Sequence, residues 1–312
     1  MTDPVRWPGF RGGGLLLPLP PTWFQPPSTT LEWEAGRFRV KSEFHVTLLN
    51  RAAGSRVCDV LQPEGVRRLF EAEDWTLARS GDGVVLRTCK RRDGRRVAAM
   101  SIIERIGLPG LNRFRARLAQ ASGIALPDVP PHVTLFTCGD SSGIGLPSRQ
   151  ALEERQLFRL RLPGIGQRLP PPLDESLAAA YRSAAYGIDG LGEVVRIGQR
   201  SAAVERECQR RGVARATLVT AFNPYSEPSD ADGNRLRQQW LAAELGAAGL
   251  PVMKAQGRDP GGRWAPEDSL LVFGATPALD ERLLCDYEQH AVVVLEPGEP
   301  ARLAWHPRSR HP

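Results

Sequence analysis

The sequence predicts two domains of different class, an α+β domain followed by a three-layer α/β domain. Three observations predict this. Before residue 163, runs that alternate apolar with polar residues mix with two helical segments. After residue 174, helical and strand-like segments alternate regularly, the pattern of an α/β domain. Between them lies Pro163-Gly164-Ile165-Gly166-Gln167-Arg168-Leu169-Pro170-Pro171-Pro172, which has little to support a packed core. The expected divisions are a first domain over 1–162, a linker over 163–173, a second domain over 174–305 and a tail over 306–312.

In the first domain, strands are expected at Leu31–Glu34, Phe38–Lys41, Phe44–Leu49, Val84–Cys89, Val97–Ile103, Val133–Thr137 and Leu157–Leu162. The last alternates Leu and Phe with Arg, as a half-buried strand does. Asp93-Gly94 is a hairpin signal between two of them. Helices are expected over about Gly65–Arg79 and over Leu111–Ser122. The second places Leu111, Phe114 and Leu118 on one face and stops at Gly123. In the second domain, helices are expected at Leu177–Tyr186, Ala202–Arg211, Ala231–Ala248 and near Leu279–Gln289. The third starts at a capping box of Ser229 with Asp232. Strands are expected at Val194–Ile197, Ala216–Phe222, Val252–Ala255, Leu270–Phe273 and Ala291–Leu295.

The chain has 312 residues, of which 41% are hydrophobic, enough for one large or two ordinary domains. No apolar stretch approaches the ~18 residues of a membrane helix. Leu15-Leu16-Leu17-Pro18-Leu19-Pro20 is too short and proline-rich for a signal segment. The five cysteines are scattered and form no CxxC pair, which argues against a disulfide framework or a structural zinc site. A soluble, cytoplasmic monomer without membrane association is the expectation. The net charge of +6 is uneven. Residues 1–173 hold 25 Lys+Arg against 16 Asp+Glu, a balance of +9, and residues 174–312 hold 16 against 19, a balance of −3. The first domain is therefore the better candidate to meet a polyanion, although arginine-rich composition explains the imbalance equally well.

Two of the five histidines open an identical tetrapeptide, His45-Val46-Thr47-Leu48 and His132-Val133-Thr134-Leu135. In a strand, successive side chains point to opposite faces. His45 and Thr47 therefore share one face, and so do His132 and Thr134. Phe44, Val46 and Leu48 point the other way, as do Val133 and Leu135. If the two strands are neighbours, one pocket receives two imidazoles and two hydroxyls. That set suits a phosphodiester. Opening a cyclic phosphate needs a base for the attacking water and an acid for the leaving ribose oxygen. An imidazole, with pKa near ~6.5, can do either at neutral pH. Thr47 and Thr134 can donate to the non-bridging oxygens and hold the phosphorus in line. This chemistry calls for no metal and no cofactor.

These motifs resemble those of the 2H (two-histidine) phosphoesterase superfamily, which includes bacterial RNA 2′,3′-cyclic phosphodiesterases, also called 2′-5′ RNA ligases. Both His-apolar-Thr-apolar motifs match fully, 87 residues apart, and Pro130-Pro131 before the second is family-like. The resemblance covers about residues 12–163. It implies a two-lobed antiparallel fold with pseudo-two-fold symmetry, with His45 as proton donor and His132 as proton acceptor. It implies RNA or a small cyclic nucleotide as partner, and reverse 2′-5′ ligation as a possible second activity. The sequence departs from the family before the first motif, where members place a helix but Leu31–Lys41 reads as a strand pair.

The hairpin tip Lys90-Arg91-Arg92-Asp93-Gly94-Arg95-Arg96 can grip a nucleic-acid backbone or serve as a solvated end. Trp23, Phe24, Phe44 and Phe136 are aromatics that can stack on a base. Phe44 is expected in the core. Phe136 shares the open face of His132 by alternation and is the preferred stacking candidate.

In the second half, Asn223-Pro224-Tyr225-Ser226, Asn234 and Gly257–Ser269 place polar residues at strand ends, where α/β domains bind ligands. Asn-Pro, Asp-Pro and Gly-Gly are also ordinary loop punctuation, and that reading is preferred. Together with Arg196-Ile197-Gly198-Gln199, these pieces resemble a bacterial family known as domain of unknown function 3293, over about residues 176–305. That resemblance implies no activity.

The leading expectation is thus a metal-independent phosphodiesterase. Two other classes compete with it. One is a module that binds RNA ends or a nucleotide without cleaving it. The other is a metal hydrolase that uses His45 and His132 as ligands.

Overall fold

The computed structural model describes residues 5–33, 36–92 and 94–309. The chain divides into two compact units, residues 1–160 and 161–312. Both combine helices with an antiparallel sheet. The Pro/Gly-rich stretch lies in the second unit and is tied to it. The Gly164 amide donates to the Asp286 carbonyl at 2.9 Å, and the Tyr225 hydroxyl donates to the Arg168 carbonyl at 2.9 Å.

In the first unit, a short β1 (Phe10–Arg11) leads to β2 (Gly14–Leu19). Then come the hairpin of β3 (Thr30–Trp33) with β4 (Gly36–Val40), and β5 (Phe44–Leu49). The last sits on the range read from the sequence. Helix α1 (Arg51–Glu71) begins nearly four turns earlier than its apolar pattern suggests, capped by Asn50 on the Ala53 amide. It kinks at Gln62, where φ is +57°, because Pro63 offers no amide and crowds the residue before it. Gly54 lets this helix approach the β1–β2 turn. A Cβ there would stand 2.0 Å from the Gly13 carbonyl oxygen.

The long hairpin of β6 (Ala78–Arg92) and β7 (Arg95–Gly107) follows, paired Arg92 to Arg95 across its tip. Ala78 and Arg79, expected at the end of a helix, therefore lie in a strand. Helix α2 (Pro109–Ser122) buries Leu111, Phe114 and Leu118 and ends at Gly123 in the left-handed conformation. Its Phe114 meets Phe70 of α1 and Trp75 in one aromatic cluster. Strand β8 (His132–Cys138), helix α3 (Arg149–Arg155) and β9 (Gln156–Arg161) complete the unit. The strand order is β1-β2-β5-β8-β7-β6-β9, with β4 also beside β8.

Beneath β8, on the face opposite the histidines, Glu104 of β7 is fully buried. Arg79 holds it at 2.6 Å and stacks over the Trp23 ring at 4.6 Å. Removing one member of such a pair strands the other. Glu104→Ala is expected to destabilise this unit by about 2–3 kcal/mol, with allowance for the partial exposure of Arg79. The urea midpoint checks this, and an unchanged midpoint would refute it.

The second unit contains α4 (Glu175–Ser183), β10 (Ala185–Ile188), β11 (Val194–Arg196), α5 (Ala202–Arg211) and β12 (Ala216–Val219). It continues with α6 (Ala231–Ala247), β13 (Val252–Arg258), β14 (Glu267–Phe273), α7 (Pro277–Asp286), β15 (Ala291–Leu295) and β16 (Arg302–Trp305). Helix α4 ends at Ser183, and β10 occupies residues expected to be helical. The α6 cap is Asp230, which accepts from the Asp232 amide, and not the expected Ser229.

The strand order is β11-β10-β13-β14-β12-β15-β16, and every neighbouring pair is antiparallel. This corrects the α/β expectation to α+β. The reason is where the crossovers land. Helix α6 joins β12 to β13, and helix α7 joins β14 to β15. In each case one strand lies between the joined pair, β14 in the first and β12 in the second. Joined strands run parallel, but they are never neighbours. Alternate residues of the same strands feed two cores. Leu218, Leu271 and Val293 pack with Val204 and Cys208 of α5. Val219, Leu270, Val272 and Val292 pack with Leu241 of α6 and Leu283 of α7.

Candidate functional site

Strands β5 and β8 are antiparallel neighbours, with Val46 opposite Val133. Continuing that register by one residue each way sets His45 opposite Thr134 and Thr47 opposite His132. All four side chains lie on one face of the sheet. Each is half-buried, whereas Val46 and Val133 are buried beneath. His45 and His132 are diagonal neighbours, a relation that spaces backbones by roughly 7–8 Å. The two imidazoles thus flank a gap closed at its other corners by two hydroxyls.

Several groups hold this arrangement. The His132 ring places Nδ1 2.8 Å from the Pro130 carbonyl. A carbonyl only accepts, so Nδ1 carries the proton and Nε2 keeps its lone pair. Arg115 of α2 is buried and donates to the Leu48 carbonyl at the end of β5 and to the Pro127 carbonyl before β8. It therefore ties the two motif strands together. The loop after β8 is held by Lys41, which donates to the Ser141 carbonyl, and by Lys90, which donates to Gly143. A Cβ on Gly143 would stand 3.3 Å from the Thr134 hydroxyl, so that loop lies over the Thr134 corner.

Both imidazoles are held below the ordinary value of 6.5. For His45 the main cause is burial. Lys41 adds to it, and Glu43 works against it. For His132 burial again dominates. The bond to Pro130 opposes it, and the nearby His45 adds to it.

Two arginines beside the site escaped the sequence reading. Arg105 of β7 stands opposite His132 in register and is half-buried. It lies two residues beyond the end expected for its strand, and continuing the alternation from Ile103 would have found it. Arg11 lines a cavity of about 180 Å³ together with Pro18, Glu43 and His45. No local pattern announced it, because only the pairing of β2 with β5 brings it there.

The aromatic candidates do not face the site. Phe136 is fully buried, 5.5 Å from Phe24. This corrects its assignment to the open face. The register of β8 against β7 shifts between Ile102 and Ile103, which leaves Leu135 as an extra residue and breaks the alternation. Phe24 and Phe44 pack in the same cluster. The Trp23 ring is covered by Arg79. In the basic tip, Lys90 is engaged with Ser142 and Asp140, while Arg91, Arg95 and Arg96 are exposed. Asp93 and His311 lie outside the described residues. His290 and His306 are buried in the second unit.

Residues 219–292 match the model of a family described as protein of unknown function (DUF3293). The match takes in Asn223–Ser226, Asn234 and Gly257–Ser269, and stops short of Arg196–Gln199. No curated protein and no solved structure matches the chain. Among the described residues, no helix is long and apolar enough to cross a membrane, and no three His, Cys, Asp or Glu side chains converge as a metal site. All five cysteines are free thiols.

Proposed function

We propose that the first unit is a phosphodiesterase of the 2H type that opens 2′,3′-cyclic phosphates at RNA ends or in a small cyclic nucleotide. The observation that carries this reading is the antiparallel pairing of β5 with β8 around Val46 and Val133, which sets two imidazole–hydroxyl pairs corner to corner. A phosphate between them meets an acid on one side and a base on the other.

His132 is the proton acceptor in this reading. Its Nδ1 proton is committed to Pro130, so Nε2 can take a proton from the attacking water. The water oxygen bonds to phosphorus, the bond to one ribose oxygen breaks, and His45 protonates that oxygen. Thr47 and Thr134 donate to the non-bridging oxygens, and Arg105 and Arg11 supply positive field for the anion. With a ribose hydroxyl in place of water as the nucleophile, the same groups would join a 2′,3′-cyclic end to that hydroxyl, which is the ligation reaction.

Incubation with nucleoside 2′,3′-cyclic monophosphates tests the reading. A nucleoside monophosphate product, formed equally well in EDTA, supports it. Tight binding without product would instead favour a module that holds nucleotide ends.

The lowered imidazole values fix the direction of the pH profile. The working form has His45 protonated and His132 neutral. Rising pH removes the acid proton of His45, and falling pH protonates His132. Because both groups sit below 6.5 in the free protein, kcat/KM is expected to be bell-shaped with its maximum on the acidic side of 6.5. A maximum above pH 7 would contradict this assignment.

A further inference from the structure

The second unit contains a cavity of about 270 Å³, just below the ~300–1,000 Å³ range for ligand sites. Helix α4, the turn after β12 and the starts of β14 and β15 wall it. Most of the lining is apolar. Three aromatic rings reach it, those of Tyr181, Tyr186 and Trp264. Tyr186, Gly257 and Glu267 form one row across β10, β13 and β14. Gly257 is needed in that row, since a Cβ there would stand 3.1 Å from the Tyr186 ring.

Glu267 is the one carboxylate on the wall, and no Lys, Arg or His lines the cavity among the described residues. Asn223 donates to its Oε1 at 2.6 Å. Among the described residues, no other side chain donates to this carboxylate, which forms no ion pair, while the Ser269 hydroxyl donates to the Glu267 backbone carbonyl. Burial holds its carboxyl above the ordinary carboxylate range, and the Asn223 bond works against that. A charge so placed lacks a cation that the protein itself does not supply.

The wall around it is built at a conformational cost. Asn223, Tyr225 and Ser226 have φ of +43°, +49° and +60°, and Glu288 has +51°. These are four of the five described non-glycine residues in the left-handed region. The two segments are joined by the Tyr225 amide, which donates to the Glu288 carbonyl. The buried Asn234 fixes Asn223 by accepting from its amide and donating to its side-chain oxygen. Such strain persists only where surrounding structure imposes it, and it clusters at functional sites.

We infer that this cavity binds a small organic cation, with an ammonium group on Glu267 and an apolar body among Tyr181, Tyr186 and Trp264. Aromatic faces attract a desolvated cation, and the carboxylate completes the pairing. The polar loop segments of the second half are thus walls of a site as well as turns.

The test uses the full chain and ligand-observed NMR titration with benzylamine and isoamylamine. Their neutral counterparts, benzyl alcohol and isoamyl alcohol, and the anion benzoate are the controls. At least one amine is expected to bind at least about tenfold more tightly than its alcohol, and benzoate not to bind. Glu267→Gln, which keeps the shape and the Asn223 contact, is expected to erase the preference, while His45→Ala leaves it intact. In the unaltered protein, amine binding is expected to fall as pH drops and Glu267 protonates, which tests the carboxylate without any substitution. Equal binding of amine and alcohol, preference for benzoate, or no amine binding at all would overturn the inference.

Discussion

Replacing either His45 or His132 with alanine is expected to lower turnover of a nucleoside 2′,3′-cyclic phosphate by ~10²-fold or more. Both rings stand half-buried on the open face, above the Val46–Val133 pair that fills the core. Neither carries the packing of its strand, so melting temperatures should stay close to that of the unaltered protein. His45 and His132 serve one proton-transfer step from its two ends. Once one is gone, the other has less to contribute, so the double variant should fall little below the worse single one. Thr47→Val and Thr134→Val remove donors to the phosphate and leave the acid and base, so a smaller loss is expected from each. Full activity in both histidine variants would remove them from the reaction. Loss of activity accompanied by loss of folding would show that the rings are structural.

What local pattern encodes, the sequence showed. The range of β5 coincides with its alternating run, and its open face follows from period two. Which strand lies beside which is a different kind of information. His45 and His132 are 87 residues apart in the chain, and only the sheet order makes them diagonal neighbours. The same limit misplaced Phe136. Its burial depends on a bulge set by the partner strand β7, which the run Val133–Thr137 does not contain. In the second half, alternating helices and strands correctly signalled crossovers. They carried no sign that β14 would insert between β12 and β13, which turns a sheet of parallel-linked strands into one of antiparallel neighbours. The cavity on Glu267 was hidden for a related reason. Asn223, Glu267 and Tyr186 belong to three separate segments, of which the first two read locally as turns and the third as the end of a helix.

Arg237 carries the largest expected effect on stability. It lies on α6 and is almost wholly buried, yet it forms no ion pair among the described residues. Its guanidinium donates instead to three carbonyls, those of Ala221 at 2.8 Å, Arg161 at 2.5 Å and Tyr287 at 2.6 Å. These come from the end of β12, the start of the unit and the end of α7. One planar fork therefore closes three chain segments. Burial brings its pKa down to about 10, with Glu288 acting in the opposite direction, so it is still charged at neutral pH. Arg237→Met fits the apolar stem but leaves three carbonyls without donors, each costing about 1–3 kcal/mol when buried. Even with partial relaxation, the second unit should lose about 3–5 kcal/mol, a fall of roughly 10 °C in melting temperature. Arg237→Lys keeps the charge but cannot reach all three acceptors at once, so it should recover only part of that loss. Because Ala221 stands two residues before Asn223, the methionine variant should also weaken amine binding at Glu267, while cyclic phosphate turnover in the first unit stays unchanged. A melting temperature within about 2 °C of the unaltered protein would mean that water or a rearranged loop satisfies those carbonyls, and that the guanidinium is not what closes the unit.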